Sequence, residues 1–480
     1  MSHRGTDALA DAAAGDRFDL AVLGGGSAGF AAAIRGAEQG ARVALIEGGT
    51  LGGTCVNVGC VPSKTLIRAA EAQHRRGHHP FAGISRSGEA PDWDRIRDQK
   101  DELVSQLRQD KYRDVLEAYD TIHLFPQRGV VASPREIRLG DGRSILSDKV
   151  VVTTGASPWV PPVPGLAEVN FLDNVSAMAL ARMPASLIVI GTGFVAVELG
   201  QMFARLGVGV TLLGRKDRVL SGEDPDVGTA LTSYLRDEGI AVRTGTIIEQ
   251  VARSDRYHLG VVTEGRSEVL EADALLVAAG RRANTAGFGL EAIGATLGPD
   301  GEIVVDAHLE TTVPGVFAAG DVVGDPMFVY VAAYAGALAA DNALSSTRRV
   351  VDLTAVPQVT FTDPAVASVG LTETAARASG LEVLVSQLAM EHVPRALAAR
   401  ATRGFVRLIA DRSTRRIVGA QILAAEAGEM ILEPTLAIKY GLTIDDLTST
   451  FHPYLTLSEG VKLAAQTFDR DVAKLSCCSG

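Results

Sequence analysis

One pattern constrains this chain more than any other, because it occurs twice. Residues 18–23, Phe-Asp-Leu-Ala-Val-Leu, form an apolar run of strand length. They lead into Gly24-Gly25-Gly26-Ser27-Ala28-Gly29, then an Ala-rich stretch that predicts a helix from Phe30 to about Gln39, with Gly40 placed to end it. A second strand, 42–46, stops at Glu47, 23 residues after Gly24. The order returns 167 residues later: strand 187–190, the turn Gly191-Thr192-Gly193-Phe194-Val195-Ala196, a helix through Glu198 to Leu206, and a strand 209–213. In such a turn the first Gly permits the tight bend, the second lets a pyrophosphate approach the backbone, and the third packs helix on strand. The helix N-terminus then faces the phosphates. Strand, turn, helix, strand and terminal acid together make a far stronger signal than the glycines alone.

The two copies differ where ribose is read. Glu47 is placed to accept from a ribose hydroxyl, with Gly48 following it. The second copy ends Leu213-Gly214-Arg215-Lys216, and cations there suit a 2′-phosphate, so NADPH is expected in preference to NADH. The expected fold class is therefore α/β with two Rossmann-like dinucleotide-binding domains. Val150-Val151-Val152 reads as a buried strand ending in Thr153-Thr154-Gly155, and Pro158, Pro161, Pro162 and Pro164 mark a boundary. Residues 273–281 form another apolar strand ending at the Gly280 turn. Residues 315–321 form a short strand that delivers Asp321 at its C-terminal end, where α/β sheets place ligand contacts, and a helix follows from Val329 to Ala343. Residues 351–470 change character, with five short strands and helices near 427–440 and 459–468, an α+β domain without a nucleotide loop.

A chain of 480 residues exceeds one core. Its 57 acidic against 46 basic residues give −11, which argues against a nucleic-acid partner. No apolar run is long enough to span a bilayer, and residues 1–16 lack the apolar core of a secretory signal, so they read as a flexible tail of a cytoplasmic protein without stable membrane association. The His-rich stretch 74–91 reads as a solvated loop, and residues 93–119, carrying Tyr112, as a long amphipathic helix.

Only four cysteines are present: Cys55 and Cys60 within Gly52-Gly53-Thr54-Cys55-Val56-Asn57-Val58-Gly59-Cys60-Val61-Pro62-Ser63-Lys64, and Cys477-Cys478 near the end. So few in so long a chain make no disulfide framework and point to catalysis or metal binding. Pro62 suits a first helical turn and residues 65–72 continue it, so Cys60 is expected at a helix N-terminus, where the dipole and Lys64 favour a thiolate.

Together these motifs resemble the flavoprotein pyridine nucleotide-disulfide oxidoreductases over roughly residues 17–470. The resemblance implies an FAD-binding domain at 17–160 and 282–350, an NAD(P)H-binding domain at 161–281, and a dimerisation domain at 351–480. It implies a homodimer with active sites at the subunit interface. FAD would be held by Gly24, Gly26, Ser27, Ala28, Gly29, Glu47, Gly48, Thr54, Lys64, Thr154, Gly155, Asp321 and Val329. NADPH would be held by Gly191, Gly193, Val195, Glu198, Arg215, Lys216 and Gly280. Cys55 would be the interchange thiol of a redox-active disulfide and Cys60 the thiolate at the flavin, with Lys64 and Glu198 as the pair beside it.

One departure redirects the chemistry. Disulfide-reducing members carry His-x-His-Pro-Thr-x-x-Glu, whose second His is the acid–base for thiol exchange. Here the segment is His452-Pro453-Tyr454-Leu455-Thr456-Leu457-Ser458-Glu459, so Tyr454 takes that place and His452 aligns with the first His. A phenol that titrates near 10 is a poor base for a thiol at neutral pH. Tyr454 with a vicinal Cys pair is similar to the mercury(II)-reducing branch of the family. That resemblance implies a metal site of Cys55, Cys60, Tyr112 and Tyr454, fed with Hg(II) from Hg(II)–thiol complexes by Cys477 and Cys478 of the other subunit. Adjacent cysteines serve better as a flexible clamp than as a disulfide, and soft thiolates prefer soft metals. Many members of that branch also carry an N-terminal Cys-x-x-Cys domain. Residues 1–16 hold no Cys, so this chain reads as the catalytic core. The rivals are a large-type thioredoxin reductase, which should keep the His, and a flavoprotein that sequesters metal without turnover.

Overall fold

A computed structural model describes residues 17–475, so the tail 1–16 and Cys477-Cys478 lie outside the described residues. The chain divides into two compact units, the first made of residues 17–65, 95–159 and 280–351 and the second of 66–94, 160–279 and 352–475.

The first unit is built on a seven-stranded sheet. Its parallel part runs Ile122–Phe125, Val43–Ile46, Arg17–Leu23 and Ser144–Val152, and Val316–Ala318 pairs in parallel with the end of that last strand. Glu136–Leu139 and Gly129–Ser133 extend it antiparallel. The stretch 121–152 is therefore mixed: its first strand is parallel and only the later ones form an antiparallel excursion. Val43–Ile46 and Val150–Val152 are buried on both faces, which explains why they read as unbroken apolar runs. The helix Ser27–Glu38 starts three residues before the expected Phe30, directly at the glycine turn. The helix Val329–Leu344 crosses it, and a Cβ on Gly336 would lie 2.0 Å from the Ala28 carbonyl oxygen. Only a glycine lets these two backbones approach so closely.

The second unit holds a four-stranded parallel sheet, ordered Ala241–Arg243, Gly209–Leu213, Ser186–Ile190 and Ala274–Val277. A three-stranded antiparallel sheet, 246–272, lies beside it in sequence. The residues from 352 onward form a five-stranded antiparallel sheet in the order Gln358–Thr360, Ala365–Gly370, Ile417–Ala424, Phe405–Asp411 and Val383–Ala389. Leu432–Tyr440 and Glu459–Gln466 are helical, and their apolar faces join its core.

Two local expectations are corrected. The stretch 74–91 is not all loop: the helix that starts at Cys60 continues to His78, so His74 and His78 ride on it one turn apart, their rings stacked at 4.2 Å. The region 93–119 is not one helix. Trp93–Arg108 is α-helical, Gln109–Arg113 forms a π-turn, and Asp114–Glu117 resumes the α-helix. No helix among the described residues is long and apolar enough to cross a membrane.

Candidate functional site

The first glycine turn has the geometry its sequence requires. Gly24 has φ +111°, and a Cβ there would stand 2.4 Å from the Thr153 carbonyl oxygen. On Gly29 a Cβ would meet the Gly24 carbonyl oxygen at 1.7 Å, so only glycine allows helix and turn to close. Gly26 caps the helix without a side-chain hydrogen bond. The orphan N–H groups of Ser27, Ala28 and Gly29 therefore suit an anion. Glu47 accepts from the N–H groups of Gly25 (2.6 Å) and Gly49 (2.5 Å), which fixes its carboxylate at the turn. Gly48 lies against Arg128, where a Cβ would be 2.8 Å from that residue's Cα. Thr154 and Gly155 follow the central strand: Thr154 donates to the Asn284 carbonyl at 2.7 Å, and Gly155 has φ +72°. Gly280 is left-handed at φ +129°, and its carbonyl takes the Trp159 N–H at 2.9 Å. Asp321 opens a short 3₁₀ turn after Val316–Ala318. Burial pushes its carboxyl up, while Arg281 at 3.9 Å pulls it back. A covered carboxylate with so distant a cation has acceptor capacity to spare. The glycine cradle, the uncapped helix and this acid fit FAD.

The dithiol stretch is one short helix followed by the start of a long one. Gly53–Val58 carries Thr54 and Cys55, and Gly59 breaks the chain before Cys60 starts the helix Cys60–His78. Cys60 is thus the first helical residue, with Pro62 in the first turn, as expected. No disulfide joins the two sulfurs; Cys55 is half-buried and Cys60 exposed. A hydrogen bond to Cys60 raises the Cys55 thiol far above its ordinary range, burial raises it further, and Lys64 opposes. Cys60 stands at the positive end of the helix dipole, a position that favours a thiolate.

Tyr112 sits on the π-turn and packs against the same loop. Its ring lies 4.7 Å from that of Phe30, and a Cβ on Gly52 would touch it at 3.3 Å. Burial raises its phenol, and the two cysteines add to that effect. Tyr330, one residue past Val329 at the start of the crossing helix, is pushed up to about 12 by burial and by Cys60. It stacks with Phe328 at 5.4 Å. Tyr330 was missed from sequence, where the only signal is an aromatic pair at a helix start.

In the second unit Gly191 has φ +132°, and a Cβ there would meet the Ala278 carbonyl oxygen at 2.2 Å. Gly193 caps the helix Phe194–Arg205, again with no side-chain bond, so the N–H groups around Val195 are presented as in the first turn. Arg215 and Lys216 are exposed just past the strand Gly209–Leu213. Glu198 is buried on the helix and accepts the Phe361 N–H at 2.8 Å. Glu198 and Lys64 belong to different units. The uncapped turn and the two cations fit NADPH.

Tyr454 lies between the helices Ile444–Ser449 and Glu459–Gln466, 61% exposed beside Phe451 at 98%. His452 turns inward, its Nε2 2.7 Å from Glu433 Oε1, and Glu433 raises its pKa. Leu455 takes φ +64°, and its N–H is held by Glu459 at 3.2 Å. The imidazole is thus committed to its own carboxylate, and the phenol is the group presented outward.

A family model described as pyridine nucleotide-disulphide oxidoreductase matches residues 18–336, and the dimerisation domain of the same family matches 356–465. The chain belongs to the pyridine nucleotide-disulphide oxidoreductase family. Among curated relatives it is 45% identical over 464 residues to a mercuric reductase of Staphylococcus aureus, covering 96% of this chain and 84% of that one. It is 45% identical to one of Streptomyces lividans, with 96% and 98% covered. Of solved structures it is similar to the HOCl-induced flavoprotein disulfide reductase RclA of Escherichia coli in its Cu(II) complex, with 30% identity, a TM-score of 0.85, and 94% and 99% covered.

As a pyridine nucleotide-disulphide oxidoreductase the chain carries the family's dimerisation domain, which supports a homodimer. Within the first unit Cys55, Cys60 and Tyr112 come together, and the glycine turn gathers with Glu47, Thr154 and Gly155. Among the described residues no group of three or more His, Cys, Asp or Glu gathers to hold a metal ion.

Proposed function

We propose that this chain reduces Hg(II) to Hg(0) with electrons from NADPH. One observation carries the reading: the imidazole of the disulfide reductases is replaced by the exposed phenol of Tyr454, while Cys55 and Cys60 remain a hydrogen-bonded thiol pair. Identity of 45% to proteins named mercuric reductase supports it. When bound, FAD would supply the two-electron link between NADPH and the dithiol. The first glycine turn, Glu47 and Asp321 would hold FAD, and the Gly191 turn with Arg215 and Lys216 would hold NADPH.

The residues then divide the work. Cys60, the thiolate of the pair, is the first ligand to Hg(II). Cys55 becomes the second, its proton passing to the small-molecule thiolate that leaves Hg(II). Lys64 favours both anions. Tyr112, half-buried and with its phenol raised, bounds the site with a hydroxyl. Soft thiolates hold Hg(II) well and Hg(0) poorly, so reduction itself releases the product. Cys477 and Cys478 would collect Hg(II) from small thiols and pass it inward by thiolate exchange, with Tyr454 contributed across a homodimer. The reaction belongs in the cytoplasm, where thiols stay reduced.

The test is NADPH oxidation and mercury volatilisation on adding Hg(II) with excess thiol, beside oxidised thioredoxin and lipoamide. Sustained Hg(II)-dependent oxidation is expected. Robust disulfide turnover without it, or a single stoichiometric oxidation that marks sequestration, overturns the reading. The variant Cys477→Ala/Cys478→Ala should lose turnover of thiol-chelated Hg(II) and keep its flavin spectrum.

A further inference from the structure

The helix Phe194–Arg205 carries Glu198, Gln201 and Arg205 at spacings of three and four residues, which places them on one face. All three are polar yet buried, with 4%, 3% and, for the Arg205 side chain, 6% exposure. All three reach the same short stretch, residues 361–363. Glu198 Oε1 accepts the Phe361 N–H at 2.8 Å. Gln201 accepts the Asp363 N–H and donates to the Asp363 carbonyl, both at 2.9 Å. Arg205 donates to the Asp363 carboxylate at 3.1 Å and to its carbonyl at 3.3 Å. Its far side holds Glu238 in two bonds of 2.8 and 2.7 Å, and Gln201 reaches the same carboxylate at 3.2 Å.

Apolar side chains would anchor this helix as well and without desolvating charge. What they could not do is aim a carboxylate. The Phe361 N–H that fixes Glu198 lies on a stretch whose position is set two residues later by Gln201 and Arg205. A displaced stretch therefore displaces Glu198. We propose that Gln201 and Arg205 are positioning residues that act through residues 361–363 to set the Glu198 carboxylate against the nicotinamide of NADPH. This rests on the proposed function, which puts NADPH at the Gly191 turn, and on the family resemblance, which counts Glu198 among the residues that hold it. A stretch of the chain's C-terminal part thereby tunes its nucleotide-binding helix.

The experiment measures two affinities and one rate. NADP⁺ and 2′,5′-ADP, which shares the 2′-phosphate but lacks the nicotinamide, are titrated into the FAD holoenzyme, and anaerobic flavin reduction by NADPH is followed by stopped flow. Gln201→Met should weaken NADP⁺ and slow flavin reduction by about 10-fold, within the range expected for a misplaced group. Binding of 2′,5′-ADP should stay within about 2-fold, because its anchors are untouched. In a Glu198→Ala background the same substitution should add nothing, since the two act in series. Equal losses on both ligands, no loss on either, or losses additive with Glu198→Ala overturn the positioning role. If Glu198→Ala alone changes neither NADP⁺ affinity nor the rate, it is the placement of Glu198 at the nicotinamide that falls, and the proposal with it. Should Gln201→Met fail to fold, Asp363→Asn keeps the main-chain bonds, removes the charge facing Arg205, and must show the same ligand discrimination.

Discussion

Gly336→Ala is the sharpest test of how the first nucleotide turn is held. Ala is the better helix former by about 1 kcal/mol, so propensity alone predicts stabilisation. The structure predicts the reverse. The new Cβ would lie 2.0 Å from the Ala28 carbonyl oxygen and 2.7 Å from its carbonyl carbon. Carbon–oxygen contacts settle near 3.3 Å, so the helices Ser27–Glu38 and Val329–Leu344 must part by roughly 1.3 Å. A gap of about 0.5–1 Å already forfeits roughly a quarter to a half of the dispersion wells along a crossing, and overpacking of this kind costs about 1–3 kcal/mol. Ala28 belongs to the first turn of its helix, so the N–H groups offered to FAD move with it. The expected result is a melting temperature lower by about 4–8 °C for a 2 kcal/mol loss, with sub-stoichiometric flavin. Calorimetry and the ratio of flavin to protein absorbance read both. Gly83→Ala, with nothing within 4 Å, is the silent control. A Gly336→Ala protein as stable as its parent with full flavin would refute the argument from the crossing.

Three more outcomes follow from the site. Cys60→Ala removes the hydrogen bond that most raises the Cys55 thiol, so Cys55 should be alkylated by iodoacetamide at lower pH than in the parent; an unchanged pH profile would show that burial, not Cys60, sets it. Replacing both Arg215 and Lys216 by Ala should raise the KM for NADPH about 10-fold, the equivalent of about 1.4 kcal/mol, and leave that for NADH unchanged; equal effects on both would show that these cations do not read the 2′-phosphate. His452 has its pKa raised by Glu433, so its contribution to stability is complete below about pH 6.5, the unfolded value, and fades as pH rises through the folded one. Denaturation of the parent and of His452→Gln should differ most at pH 6 and converge towards alkaline pH; a constant difference would rule out the ion pair as its source.

Much of this was legible because the controlling interactions are local. A glycine turn between an apolar strand and an Ala-rich helix specifies its own geometry, and Gly24, Gly29 and Gly191 stand in the strained or crowded positions their spacing demanded. The start of a helix at Cys60 was readable from Pro62 and the residues behind it. Continuation of that helix through His74 to His78 was not, because polarity resembles a loop when the outer face of a helix is solvated. The π-turn under Tyr112 was also invisible, since one extra residue in a helical turn leaves no compositional mark. Non-local placement was wholly beyond the sequence. Glu198 could be named from its motif, yet its hydrogen bond to Phe361, 163 residues away, exists only because the chain returns to that helix. The sequence by itself named the residues proposed to carry the chemistry: two nucleotide turns, a dithiol at a helix start, and a phenol where an imidazole serves other members. The tertiary structure decided which of them constrain one another. A half-buried thiol acquires a raised pKa, and a buried carboxylate acquires a direction, only from neighbours that folding brings into hydrogen-bond reach.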